Sequence, residues 1–224
     1  SYAIIRFGSS PSTQGSTGLS DATTQTGTVG GTARLSGLDT LNLRYSHSQT
    51  DSSSSSSSSL FKTDSATIGW SRTLTPNLSA QLGGGGILIS PGQTTTYAAN
   101  AALIMNFLNN SATISYAHSA FPSFYNGGGI RIGDSFSLSA VQRIDQQWQL
   151  AELASYAHSS PSGVSGLNAA TFDSFAAGGD IQYWVTSIWS TALSYSYSKF
   201  NQYGLSTTDY DRQVITLSVR ATWE

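Results

Sequence analysis

Leu193-Ser194-Tyr195-Ser196-Tyr197-Ser198 alternates a bulky apolar or aromatic residue with a small hydroxyl residue, and the reading of this stretch decides the fold. Side chains of an extended strand point alternately to its two faces, so Leu193, Tyr195 and Tyr197 share one face and the serines share the other. Residues 40–48 (TLNLRYSHS), 65–73 (SATIGWSRT) and 111–119 (SATISYAHS) repeat the pattern. The chain therefore reads as all-β, with strands that are apolar on one side and small and polar on the other.

Composition narrows the setting. Charged residues make up only 10% of the 224 positions, against roughly a quarter in ordinary soluble domains. The longest clear apolar run is Ala101-Ala102-Leu103-Ile104-Met105, far below the roughly 20 residues of a transmembrane helix. Segments of about 10 residues that alternate in polarity, without a hydropathy peak, are the signature of strands that cross a membrane in a closed barrel. There is no cysteine, hence no disulfide framework or thiolate site. A net charge of −2 without a basic tract gives no support for nucleic-acid binding. Ser1 is not an initiator methionine and no signal-peptide pattern opens the chain, which fits a mature form or a piece of something longer.

Taken in order, the alternation gives one domain over residues 1–224, a 12-stranded antiparallel up-and-down transmembrane β-barrel. Long loops are expected near 9–26, 49–64, 120–129, 160–171 and 199–209, the second holding the serine run Ser52 to Ser59, which has the composition of a flexible linker. Short turns fall near 36–39, 75–77, 108–110, 145–147 and 186–187, and the brief connection at Pro91-Gly92 is the exception to the alternation of long and short. Glycines 83–86 inside one strand predict a sharp bend or a close approach by another part of the chain.

A motif recurs just before the long loops: Tyr45-Ser46-His47-Ser48, Tyr116-Ala117-His118-Ser119 and Tyr156-Ala157-His158-Ser159, with Tyr195-Ser196-Tyr197-Ser198 as counterpart. Tyr45, Tyr116, Tyr156 and Tyr195 are expected to form an aromatic girdle at one membrane interface. Trp70, Trp148, Trp184, Trp189 and Trp223 lie near the short-turn ends and are expected to form the opposite one.

With both girdles in place, the chain resembles the bacterial outer-membrane β-barrel (porin-like) proteins. The segment from Tyr210-Asp211-Arg212 to Leu217-Ser218-Val219-Arg220-Ala221-Thr222-Trp223 is similar to their terminal strand, although Glu224 follows the closing aromatic. More loosely, the chain resembles the barrels associated with exopolysaccharide export. The resemblance implies an outer-membrane location with periplasmic termini, the lipid bilayer as partner, and no cofactor or metal.

The polar face collects small hydroxyls together with Arg34, Arg44, Arg131, Arg143, Asp180 and Arg220, which are the expected pore-lining residues. An arginine-rich lumen focuses positive potential, favouring small polar and anionic solutes or an acidic glycan; pairing among the lumenal charges would remove that preference. Glu152 falls on the lipid side by alternation, so a bulge or register change is expected to turn it inward. No catalytic function is expected. His118 and His158 stand beside serines, but serine is too frequent here for adjacency to carry meaning, and neither a phosphate loop nor a paired carboxylate is present. The rival readings are a structural or adhesive barrel acting through its Ser/Thr/Gly-rich loops, and a soluble β-sandwich.

Overall fold

The computed structural model describes residues 2–5, 21–54, 57–123, 129–162, 170–204 and 208–221. They form one 12-stranded antiparallel sheet in which each strand pairs with the next in sequence. The strands are β1 (Tyr2–Ile5), β2 (Asp21–Arg34), β3 (Asp39–Ser54), β4 (Ser57–Thr75), β5 (Leu78–Ser90), β6 (Thr94–Asn106), β7 (Asn110–Ser123), β8 (Gly129–Arg143), β9 (Trp148–Pro161), β10 (Thr171–Trp184), β11 (Trp189–Tyr203) and β12 (Thr208–Ala221). Pairing of β1 with β12 is not among the described contacts.

Glycine shows which way the sheet curves. On the hydroxyl face, a Cβ built on Gly30 would lie 2.7 Å from the Leu43 carbonyl oxygen, on Gly133 2.6 Å from that of His158, and on Gly178 2.8 Å from that of Tyr195. On the opposite face, Gly27, Gly31 and Gly86 have nothing within 4 Å of that position. Backbones crowd on the inside of a curved sheet and spread on the outside, so the hydroxyl face is concave and the apolar face convex.

Exposure of the apolar face separates this architecture from a sandwich. The convex face leaves Ile215 74%, Leu217 73% and Val219 67% exposed, with Leu43, Ile68, Phe136, Leu138 and Leu193 also open. Two packed sheets would have buried such residues against one another.

The short connections at 35–38, 144–147 and 185–188 share one device. Ser36 Oγ accepts from the Leu38 and Asp39 amides, Asp145 Oδ1 from those of Gln147 and Trp148, and Thr186 Oγ1 from those of Ile188 and Trp189. A short polar side chain that satisfies amides two and three residues on is what closes these turns. At the same rim Asp39 accepts from Ser36 Oγ at 2.8 Å and from Trp70 Nε1 at 3.0 Å. The Ser36 hydroxyl, followed by Trp70 and Arg72, holds the Asp39 carboxyl below the usual carboxylate range.

Four expectations need correction. Residues 21–26, 120–123, 129, 160–161, 171, 199–203 and 208–209, expected in loops, lie in strands, because cross-strand pairing continues past the alternating stretches; residues 9–20, 124–128, 163–169 and 205–207 of those loops lie outside the described residues. The described residues of the serine run are strand, not loop: Ser52 pairs with Ser59, Ser53 with Ser58 and Ser54 with Ser57, while residues 55–56 lie outside the described residues. Strand pairing satisfies the backbone whatever the side chains are, and serine composition does not forbid it. Glu152 stays on the convex face, in unbroken register with Ala140 and Gly179. It lies at the wall of an outward groove with Leu138, Ile181 and Leu193, next to the space that side-chain-free Gly179 leaves. Finally, Trp184 shares the concave register of Ser190, and the Arg143 guanidinium lies 5.6 Å above its ring, so it is not part of a convex girdle.

The concave side is also not uniformly watery. Pairing between β6 and β7 stops at Ala99 with His118, while β7 and β8 remain paired out to Ser123 with Gly129. Beyond the stop, Ile130, Ile132 and Ala120, which belong to the convex register, pack against Phe61, Ile87 and Ile89 of the concave register. β4 and β8 accordingly approach one another. The ends of β7 and β8 away from the short turns thus leave β6 and lie on the concave side of β4 and β5, and Ile89 is fully buried there.

Candidate functional site

Register sorts charge between the two faces. Arg34, Arg44, Arg131, Arg143, Arg212 and Arg220 fall on the concave register, with Asp180 as its described acid. Asp39, Asp51, Asp64, Asp134, Glu152, Asp173, Asp209 and Asp211 fall on the convex register. Among the described residues the ion pairs are Arg72–Asp39 at 3.8 Å and three His–Asp contacts, so no concave arginine is paired with a carboxylate.

These residues do not converge on one point. Arg44 sits mid-strand opposite Gly30 and Thr67, where the small neighbours leave it room. Asp180 lies near mid-strand on β10 and accepts from Ser194 Oγ at 2.8 Å. Arg34, Arg143 and Arg220 belong to the short-turn ends, and Arg34 donates to the Ser36 and Gly37 carbonyls at 3.2 and 3.4 Å. Arg131 lies at the far end, nearly buried beside Phe172. The arginines therefore form a track along the concave face instead of a catalytic cluster. No group of three or more metal-ligating side chains occurs among the described residues.

The tyrosine–histidine repeats prove to be half of a larger unit on the convex face. Tyr45 Oη donates to Asp64 Oδ1 at 2.6 Å, and His47 Nδ1 donates to the same oxygen at 2.8 Å. Tyr116 and His118 bind Asp134 Oδ1 at 2.6 and 2.8 Å, and Tyr156 and His158 bind Asp173 Oδ1 at 3.2 and 2.6 Å. A carboxylate accepts only, so each imidazole carries its proton on Nδ1. The serines after the histidines alternate to the concave face, which separates Ser119 from His118 and Ser159 from His158 as nucleophile–base pairs. Asp64, Asp134 and Asp173 were not singled out from the sequence. A signal was available: each histidine is answered on the next strand by an Asp-Ser dipeptide, at 64–65, 134–135 and 173–174. At the fourth repeat Tyr197 faces Gln213, and the unit is missing.

These units join neighbouring strands where the convex face becomes polar, above Leu43, Phe136 and Ile181. Replacing Asp134 with alanine removes two charge-assisted hydrogen bonds and leaves the nearly buried His118, stacked at 3.9 Å on Tyr97, without its acceptor. A loss of about 1–3 kcal/mol is expected. It should appear as a lower midpoint in thermal unfolding followed by gel migration, with Asp211→Ala, which has no hydrogen-bond partner of this kind among the described residues, unchanged.

Tyr45, Tyr116, Tyr156 and Tyr195 all occupy the convex register, as do Trp70, Trp148 and Trp189; Trp223 lies outside the described residues. Along β11 the eight steps from Trp189 to Tyr197, at ~3.3 Å each and a tilt near 40°, span about 20 Å, comparable with the apolar band of about 25 Å of a membrane barrel.

No protein-family model matches the chain, and no curated protein is significantly similar to it. Solved structures are. The chain is similar to outer-membrane β-barrels. The translocator domain of the autotransporter NalP from Neisseria meningitidis is 13% identical, with a TM-score of 0.38 over 93% of this chain and 83% of that one. The NanC porin is 11% identical, with a TM-score of 0.36 over 88% of this chain and 99% of that one.

Proposed function

We propose that this chain is a bacterial outer-membrane β-barrel, closed by β1 and β12 with periplasmic termini, that conducts small polar solutes with preference for anions or an acidic glycan. The observation that carries this reading is the charge segregation: six concave arginines against Asp180, with the other described strand acids on the convex register. In a narrow lumen with low-dielectric walls, unpaired guanidinium groups focus positive potential and raise the local concentration of anions. The convex band of Leu, Ile, Val and Phe supports contact with lipid chains, and the tyrosine and tryptophan rows support two interfaces.

Planar-bilayer recording tests this. The purified protein is expected to conduct and to select chloride over potassium, and a sealed membrane at any protein concentration would overturn the channel reading. Arg44→Gln is expected to lower the anion preference more than Arg34→Gln, because Arg34 is already engaged with turn carbonyls. A selectivity unchanged by Arg44→Gln would remove arginine from the account. A structural or adhesive barrel is the second reading, favoured by the β3–β4 hairpin, whose serine pairs extend well past the Tyr45 row. It predicts no conductance, with cell-surface binding lost on deletion of residues 52–59.

A further inference from the structure

Arg131 is an arginine in an unusual position. It is 8% exposed, with its guanidinium carbon 4.1 Å above the Phe172 ring. Nε donates to Ser159 Oγ at 3.1 Å, and Nη2 donates to the carbonyls of Ser159 and Ala170 at 2.7 and 2.8 Å. Nη1 makes no hydrogen bond to the described residues, and no described carboxylate pairs with the group. Asp134, which touches the same region, has its carboxylate turned to the convex side, held by Tyr116 and His118. The neighbouring segments 124–128 (FYNGG) and 163–169 (GVSGLNA) contain no aspartate or glutamate to supply a counter-charge.

A buried cation without an anion is expensive to maintain, and carbonyl dipoles with one aromatic face compensate it only in part. Beside it lies a cavity of about 400 Å³. Phe121, Phe172 and Phe200 line it with aromatic rings, Phe172 lying between the guanidinium and Phe200 at 5.3 Å, and Ser119, Ser135 and Ser159 line it with small polar side chains. The two N–H groups of Nη1 are the donors left for a carboxylate oxygen, a charge-assisted contact. The flat rings suit the C–H face of a pyranose, and the serines suit its hydroxyl groups.

We infer that this cavity, at the concave mouth between β7 and β11, is a binding site for a carboxylated sugar, with Arg131 on the carboxylate and Phe172 and Phe200 along the ring. The site deepens the channel reading and rests on it for its place in a conduction path, but binding itself does not need conduction. A uronic acid met as a free monosaccharide and one met as a unit of a polymer present the same chemistry to it.

The test is calorimetric titration of the detergent-solubilised full chain with glucuronate, glucose, acetate and a short polyuronate, beside bilayer recording of the same sample. Glucuronate is expected to bind at least tenfold more tightly than acetate or glucose, because only it joins charge to ring. Arg131→Gln is expected to abolish the binding and Phe200→Ala to weaken it about tenfold with the charge intact. Should Arg131→Gln fail to fold, Arg131→Lys serves: it keeps the charge, cannot both hold the Ser159 and Ala170 carbonyls and reach the ligand, and is expected to bind more than threefold more weakly. Acetate binding as tightly as glucuronate, or Arg131→Gln or Arg131→Lys binding like the native chain, would overturn the site. Tighter binding of the polyuronate identifies the polymer as the source, and equal binding identifies the monosaccharide. Glucuronate binding without conductance sinks the channel and leaves the site standing; conductance without glucuronate binding does the reverse.

Discussion

Gly85→Val is expected to prevent stable assembly of the sheet, whereas Gly86→Ala, one residue away, is expected to be tolerated. Gly85 pairs with Thr67 of β4 and Ala98 of β6 on the crowded concave side. A Cβ there would overlap the Ala66 carbonyl oxygen and stand 2.7 Å from Thr67 Cα. Both neighbours are backbone, so no rotamer relieves the clash and β4 itself must move, breaking ladder hydrogen bonds. Overpacking of this kind costs about 3 kcal/mol, a large share of the stability of any domain. Gly86 faces the convex side with nothing within 4 Å, and alanine there stiffens the unfolded chain for a gain of up to ~1 kcal/mol. Refolding into detergent, followed by the heat-dependent gel shift that closed barrels display, measures both. Equal refolding of the two variants would show that the sheet does not curve towards the hydroxyl face.

That curvature was half legible in the sequence. Period-2 alternation in stretches such as Leu193 to Ser198 assigned the faces, because one-residue alternation survives whatever the partner strand does. Glycines 83–86 predict a bend or a close approach, and at Gly85 the structure has the close approach, to Ala66 and Thr67. What stayed hidden depends on partners distant in sequence. Asp134 looks like any strand-end acid until register sets it against His118 and His158. The pocket at Arg131 needs Phe121, Phe172 and Phe200 from three hairpins, and no local pattern joins them. The departure of β7 from β6 after His118 is likewise invisible, since Ala120, Ile130 and Ile132 keep the convex alternation while packing inside. The serine run goes the opposite way: its composition speaks for a linker, and the neighbouring strands carry the pairing into Ser52–Ser54 and Ser57–Ser59.

Leu193→Arg and Ser194→Arg place the same charge on adjacent residues, and they are expected to behave oppositely. Leu193 lies near the middle of the Trp189–Tyr197 span on the convex face, 49% exposed and between Ile181 and Leu217 in the ladder. In a bilayer an arginine there sits near the midplane, at a cost of about 2–4 kcal/mol. No acid shares its ladder row; Glu152 lines the same convex groove, and a pair with it would keep both charges on that face, at a desolvation cost that the pairing offsets only in part. Ser194 faces the concave side, where its hydroxyl already donates to Asp180. An arginine at 194 meets that carboxylate and water, so insertion is expected to proceed as in the native chain. The two substitutions have the same length and charge and differ only in the face they address, which cancels any general effect of a bulky cation on strand pairing. Folding into lipid vesicles measures the difference: Leu193→Arg is expected to fold at least tenfold less efficiently than Ser194→Arg. In a soluble sandwich, or in a barrel whose apolar side faces inward, the order would reverse or vanish.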